Sequence, residues 1–328
     1  MVKTGVGWTL DSSDIIGPVL LVGIGGFGKK IALEAKRITG YECVIVSDDK
    51  RDIDDGTSFY IDCKPWINPS VFRIRSFMKL YEAKISSVFS KFKTVIIISN
   101  LGGKTGAAIS PFLSSIAKSC LNKLISFVVM PFRFEKERLF YSATCFRRIN
   151  FTSDAVFVLD NDAFLEINPD LSLEECYSMT NSALINIIKL MPSVKMSRGE
   201  GIICMNGTKE SDAEKALRDS IAMLYSSSEP ESVGKSFLYI SKKSKFSIGN
   251  LNTLAEKLRK FQSINSLAEV DLHTSGNFNG TVNLVSTVET ATKFDSYDPL
   301  AIIPSESCLD WEVPDSHPEI ELPLPNIE

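Results

Sequence analysis

Val19-Leu20-Leu21-Val22-Gly23-Ile24-Gly25-Gly26-Phe27-Gly28 is the stretch on which the fold turns. Pro18 and the glycines bound an apolar run that reads as a buried strand. Positions 27–39 then carry Ile31, Ala35 and Ile38 at helical spacing and stop at Gly40, a C-cap. The turn between them, Gly23 to Gly28, is a G-x-G-x-x-G. Glycines suit it because backbone N–H groups must approach a phosphate closely, at the positive end of a helix. Asp48 lies 20 residues past Gly28, at the end of the next strand (43–46), which completes a dinucleotide fingerprint for NAD or FAD. A tight turn without a ligand satisfies the same residues.

Downstream, strands at 94–98, 124–130 and 155–159 alternate with helices at 69–89, 106–121 and 136–149. Continuous apolar strands alternating with helices imply an α/β fold, a parallel sheet covered on both faces. Ser172 and Glu175 form a capping box, with Leu171 and Cys176 placed as a staple, and open a long apolar helix to about Met191. The pattern then changes: a strand at 201–205, a second capping box at Ser211 and Glu214 opening a helix to about Tyr225, a strand at 236–240, a helix at 251–261, and two late strands around the turn 276–280. This reads as a smaller α+β domain.

A second glycine-rich loop, Asn100-Leu101-Gly102-Gly103-Lys104-Thr105-Gly106, also joins a strand to a helix. Its GKT is not a Walker A motif, because the required earlier glycine falls on Ile98, inside the strand. A helix-entry turn explains the loop alone. Two such loops over one sheet edge suggest a phosphate chain gripped from two sides, which a simple dinucleotide domain does not need.

Composition bounds the rest. The 328 residues, 44% apolar and 23% charged, suit about two domains of an ordinary globular protein. A net charge of −4 gives no general nucleic-acid footprint. Seven Cys without a C-x-x-C pair disfavour disulfides or zinc. Two His leave no material for a His-based metal site or a Ser-His-Asp triad. No apolar run reaches the ~18 residues of a membrane span, and the N-terminal stretch has no signal-peptide pattern, so a cytoplasmic protein is expected. Residues 294–328 hold nine acidic residues, no Lys or Arg and six of the 14 prolines; without them the body carries +5. Such a stretch reads as an acidic disordered tail. It is either a solubilising tail or a partner-binding peptide; Leu309, Trp311 and Ile320 favour the second.

The order of several segments resembles the tubulin/FtsZ superfamily over roughly residues 18 to 293: GIGGFG, GGKTGAAISP, Met130-Pro131-Phe132-Arg133-Phe134-Glu135 with Arg138, Asn161-Asp162 with Leu165, and the capped helix from Ser172. The resemblance implies a GTP-binding domain (18–170) after a short extension (1–17), a central helix (171–192), an α+β domain (193–293) and the tail (294–328). It implies GTP or GDP, with Mg²⁺ as companion, and head-to-tail assembly with further copies or a related FtsZ, the tail engaging a partner protein. Carried over residue by residue, Gly25, Gly26 and Gly28 match the first phosphate loop, Asp49 the acidic residue of the next, and Gly102, Gly103, Thr105 and Gly106 the signature loop. Glu135 and Arg138 match the ribose-side pair, Asn161 an Asn near the nucleoside, and Asn68-Pro69 an Asn-Pro after the third loop.

Departures from the family pattern are as informative. Lys29 or Lys30 stands where the family has an Asn near the purine; Ser182, beside Asn181, stands where an Asp reads guanine. A Ser hydroxyl cannot copy a carboxylate's two acceptor positions. Lys64-Pro65-Trp66-Ile67 replaces the glycines of the third loop. Leu190-Met191-Pro192-Ser193-Val194-Lys195 has no carboxylate where the family carries water-positioning acids, so weak or absent hydrolysis is expected. Lys104 offers an ammonium to the phosphate chain, or is simply a solvated residue at a helix start. The alternatives are a nucleotide-free scaffold, and an NAD/FAD oxidoreductase, for which no placed proton donor is evident.

Overall fold

The computed structural model describes residues 15–53, 58–167, 169–190, 202–206, 213–241, 252–253, 256, 260, 270–275, 282–288, 292–294 and 297. Six strands, β1 (Val19–Ile24), β2 (Glu42–Ser47), β3 (Phe59–Tyr60), β4 (Thr94–Asn100), β5 (Lys123–Met130) and β6 (Ala155–Asp160), pair in parallel in the order β3-β2-β1-β4-β5-β6. The chain winds from β1 outward to β3, then returns to lay β4 on the other side of β1. The crevice between β1 and β4 is therefore the topological switch point, where open α/β sheets hold their ligands.

Period-2 alternation sends each strand's side chains to two separate cores. Leu20, Val22, Val95, Ile97 and Val128 face α2 (Val71–Met78), α3 (Glu82–Phe89), α4 (Lys104–Ser119) and α5 (Lys136–Thr152). Leu21, Ile96, Ile98 and Phe127 face α1 (Gly25–Thr39) and α7 (Leu173–Leu190). Phe127 stacks on Phe157 of the neighbouring strand at 4.5 Å between centroids; side chains of this size each contribute about 1.5–3 kcal/mol on full burial.

The helix expected over 69–89 is two helices joined by a 3-10 turn at Lys79–Tyr81. The break aims Tyr81, whose hydroxyl accepts from the Asp62 N–H at 3.2 Å. Inside α4, Pro111 has no N–H, which leaves the Ala107 carbonyl without its helical donor. That carbonyl instead accepts from the Arg75 guanidinium at 3.1 Å and the Cys145 thiol at 2.8 Å. One proline thus ties α2, α4 and α5 together.

The predicted capping box exists: Ser172 Oγ accepts from the Glu175 N–H at 3.3 Å, and Glu175 Oε2 accepts from the Ser172 N–H at 3.0 Å. The second box, at Ser211, lies outside the described residues. Asn161–Ile167, read from sequence only as a motif after a strand, is a helix, α6.

Beyond α7, β7 (Ile202–Asn206) continues the sheet in parallel with β6, followed by α8 (Ala213–Ser227), β8 (Val233–Ser241), β9 (Val270–Ser275) and β10 (Val282–Val288). The late strands do not form a hairpin. β8 lies between them, parallel to β9 and antiparallel to β10, because its nine residues offer hydrogen-bonding edges to both. Of the helix expected at 251–261, residues 252, 253, 256 and 260 are helical. Among the described residues no helix is long and apolar enough to cross a membrane.

Candidate functional site

Both glycine-rich loops sit at the C-terminal ends of adjacent strands, β1 and β4, and lead into α1 and α4. Their N-cap residues are Ile24 and Gly103, and neither supplies a side-chain cap. The first-turn N–H groups of two helices therefore open on one crevice without a capping side chain, each with a partial positive charge. The loops touch: a Cβ built at Gly25 lies 3.4 Å from the Thr105 side chain. Gly25 has φ +65°, which L side chains rarely adopt.

Other glycines of the motifs serve packing. A Cβ at Gly28 would lie 2.5 Å from the Ile98 carbonyl oxygen, so this residue lets α1 press on the β4 backbone. A Cβ at Gly106 would overlap the Asn100 carbonyl oxygen. Gly102 receives the Asn100 side chain, Oδ1 accepting from its N–H at 2.8 Å.

Three further side-chain contacts surround the two loops. Lys104 is exposed, and its Nζ donates to Asn68 Oδ1 at 2.9 Å, bridging to the loop before α2. Thr105 Oγ1 donates to Asp48 Oδ1 at 2.5 Å. Asp48, the ribose acid of the dinucleotide reading, is thus turned toward the second loop. Asp52 lies over the first turn of α1, its Oδ1 2.9 Å from a Cβ built at Gly26, while Oδ2 accepts from Ser47 Oγ at 2.6 Å. Sequence reading missed Asp52; its place two residues past a strand-end turn was the available signal.

Asp49 and Lys29 lie at the rim. Arg51 donates to both Asp49 oxygens and holds this carboxyl down at about 2. Lys29 Nζ approaches the Arg51 carbonyl oxygen at 3.4 Å.

On the other flank, Glu135 accepts from Arg138 at 2.5 Å and from the Phe132 N–H at 3.2 Å, so the expected ribose-side pair is also a pair in space. Asn161 is buried and committed: its Nδ2 donates to the Met130 carbonyl oxygen at 3.1 Å, and its Oδ1 accepts from Thr180 at 2.9 Å. It fastens β5, α6 and α7 to one another. Asn181, the next residue on α7, has a buried Oδ1 with no hydrogen-bond donor among the described residues. Ser182 Oγ donates back to the Ser178 carbonyl oxygen of its own helix. The stretch expected to lack catalytic carboxylates lies, from 191 onward, outside the described residues.

Comparison with known proteins agrees with this fold. The family model described as the GTPase domain of the Tubulin/FtsZ family matches residues 73–169. Cell division protein FtsZ 1 of Methanocaldococcus jannaschii is 26% identical over 159 residues, 44% of this chain and 44% of that protein. FtsZ 1 of Pyrococcus furiosus is 29% identical over 136 residues, 37% of each. The chain thus spans less than half the length of the curated relatives it matches. An FtsZ dimer of M. jannaschii superposes with a TM-score of 0.67 at 18% identity, covering 83% of this chain and 88% of that one. CetZ2 of Haloferax volcanii, a GTPγS-bound protofilament, gives 0.64 at 15% identity, with 88% and 99% covered. TubZ of Clostridium botulinum phage c-st gives 0.60 at 13% identity, covering 83% of this chain and 92% of that one.

Proposed function

We propose that this chain, a divergent member of the tubulin/FtsZ superfamily, is a cytoskeletal or cell-division protein that binds a purine nucleotide, GTP or GDP, in the β1/β4 crevice. The observation that carries this reading is the pair of uncapped helix entries, α1 and α4, lying against each other at the switch point. Polyanionic phosphate is the ligand such a pair of N-termini suits. The orphaned Asn181 Oδ1 on α7, a helix that packs on α1, supports the same reading, since an acceptor there takes an N–H from a purine edge. Gly25, Gly26, Gly102, Gly103 and Thr105 would line the phosphates, Lys104 would neutralise them, and Glu135 with Arg138 would face the sugar. Mg²⁺ would enter with the phosphates. When bound, the nucleotide supplies a reactive phosphoanhydride; the chain's own contribution is to hold it.

Assembly would run head to tail through this face, with further copies or with a related FtsZ. Hydrolysis would be weak, because no carboxylate stands between Leu190 and Lys195 to orient water. A partner protein for the acidic tail completes the reading.

Contacts within the crevice favour a second reading, a nucleotide-free scaffold. Lys104, Thr105 and the first turn of α1 already have the side-chain neighbours Asn68, Asp48 and Asp52. Calorimetric titration of nucleotide-stripped protein with GTP, with GDP, ATP and NAD as competitors, separates the two. Saturable GTP binding displaced by GDP is expected; no heat with any of the four would establish the scaffold.

A further inference from the structure

Three aspartates, Asp48, Asp49 and Asp52, follow the end of β2 within one short turn. Arg51 pairs with Asp49 and holds it at the rim. The other two carboxylates lie against the glycine-rich loops. Asp48 Oδ1 accepts from Thr105 Oγ1 at 2.5 Å, in the first turn of α4. Asp52 Oδ1 lies 2.9 Å from a Cβ built at Gly26, in the first turn of α1. Between these two contacts the loops themselves meet, at Gly25 and Thr105.

The turn aims Asp52. Ser47, fully buried at the last position of β2, donates from Oγ to Asp52 Oδ2 at 2.6 Å and accepts from the Asp49 N–H at 3.1 Å. The 3-10 turn Lys50–Asp52 closes with the Asp52 N–H donating to the Asp49 carbonyl oxygen at 3.1 Å. With one carboxylate oxygen fixed by the hydroxyl, the other is directed at Gly26. A helix entry without a capping side chain carries about half a positive charge and favours any anion beside it. A carboxylate held there takes up the attraction that a phosphate oxygen would use, and it repels an incoming phosphate as a like charge.

We infer that Asp48 and Asp52 are built-in anions that compete with phosphate for the entries of α4 and α1, so that the 48–52 turn sets how tightly the crevice takes polyphosphate. The inference rests on the crevice being the phosphate site proposed above. Polyphosphate then enters by displacing Asp48 from Thr105 and Asp52 from the first turn of α1.

Calorimetric titration of the nucleotide-stripped full chain with inorganic tripolyphosphate and with GTP, in metal-free buffer at about 0.1 M salt, tests it. Asp48→Asn and Asp52→Asn each keep the shape and an acceptor oxygen while removing one charge. Each is expected to bind both probes about 10-fold more tightly than wild type. Glu42→Gln removes the same charge at the exposed start of β2. At about 3.3 Å per residue it stands well beyond the screening length of about 10 Å, so its affinities should stay within about threefold of wild type. Ser47→Ala releases the Asp52 oxygen with its charge kept and should tighten binding by about threefold; it carries the Asp52 arm if Asp52→Asn does not fold. Binding by the Asn variants where wild type shows none would support the inference and remove the nucleotide from the wild-type reading. Wild-type binding with equal or weaker binding in either Asn variant would overturn the inference and leave the nucleotide reading standing. Equal tightening in Glu42→Gln would also overturn it, since net charge alone would then be responsible. No heat in any of the proteins would overturn both.

Discussion

Lys104 Nζ donates to Asn68 Oδ1 at 2.9 Å, so the start of α4 is tethered to the loop before α2. The tether sits at the α4 entry, beside which phosphate would lie. If the ammonium serves phosphate, Lys104→Ala weakens GTP binding by about 10- to 100-fold, the worth of a charge-assisted contact. Asn68→Ala cuts the same tether and leaves the ammonium in place, so its binding constant should stay within about threefold of wild type. Equal losses in both variants would reduce Lys104 to a loop fastener. Calorimetry on the two variants decides.

The Ala107 carbonyl supplies a second test. Its acceptance from Arg75 and Cys145 follows from Pro111 lacking an N–H. Arg75→Met should cost about 1–3 kcal/mol in urea unfolding, because a buried acceptor loses a charged donor. In a Pro111→Ala background the helix offers its own N–H, and the same change should cost less. A cycle with zero coupling would show that proline and arginine are independent.

How far the sequence reveals this molecule depends on the range of the interaction concerned. Apolar runs, the Ser172 capping box and the glycine turns are local patterns, and each lies where its residues place it. Both glycine loops were readable because the constraint at Gly25 and Gly106 is written in one residue. What was not readable depends on pairs distant in sequence. Asn161 looked like a ligand residue, yet its amide is committed to Met130 and Thr180. The insertion of β8 between β9 and β10 depends on edge availability, which no local pattern encodes. Phe294, at the head of an acidic, proline-rich stretch, gives no local sign that it is fully buried against α5.

The pair of Asp160 and Lys293 joins the end of β6 to the root of that stretch. Burial pushes the Asp160 carboxyl up, while Lys293 pulls it down. Removing one partner leaves the other charge buried, so Lys293→Met should cost about 3–5 kcal/mol. Adding Asp160→Asn should recover much of it, since both charges are then gone. Chemical denaturation of the two variants measures this; a double variant no better than the single would locate the loss in packing of the lysine stem.

Stability at alkaline pH provides the last test. Burial pushes the Cys145 thiol up to about 11, although Arg75 and Arg148 pull it down. Cys63 is raised to about 11 by burial and by Asp48 and Asp62, and Cys43 to about 11 by burial against the pull of Lys36. An unfolded chain gives up its thiol protons near pH 8.5–9. Between about pH 9 and 11 the folded state therefore holds protons that the unfolded state has lost. Linkage makes stability fully present below about pH 9 and falling as pH rises toward 11, by up to about 1.4 kcal/mol per unit for a fully buried thiol. The half-buried Tyr225 is raised too and acts in the same direction at higher pH. Cys145→Ala isolates one thiol: its unfolding midpoint should start lower than wild type at about pH 8 and converge on it by about pH 10.5. A constant gap between the two across that window would mean that Cys145 does not hold its proton, and that its contact with the Ala107 carbonyl is packing alone.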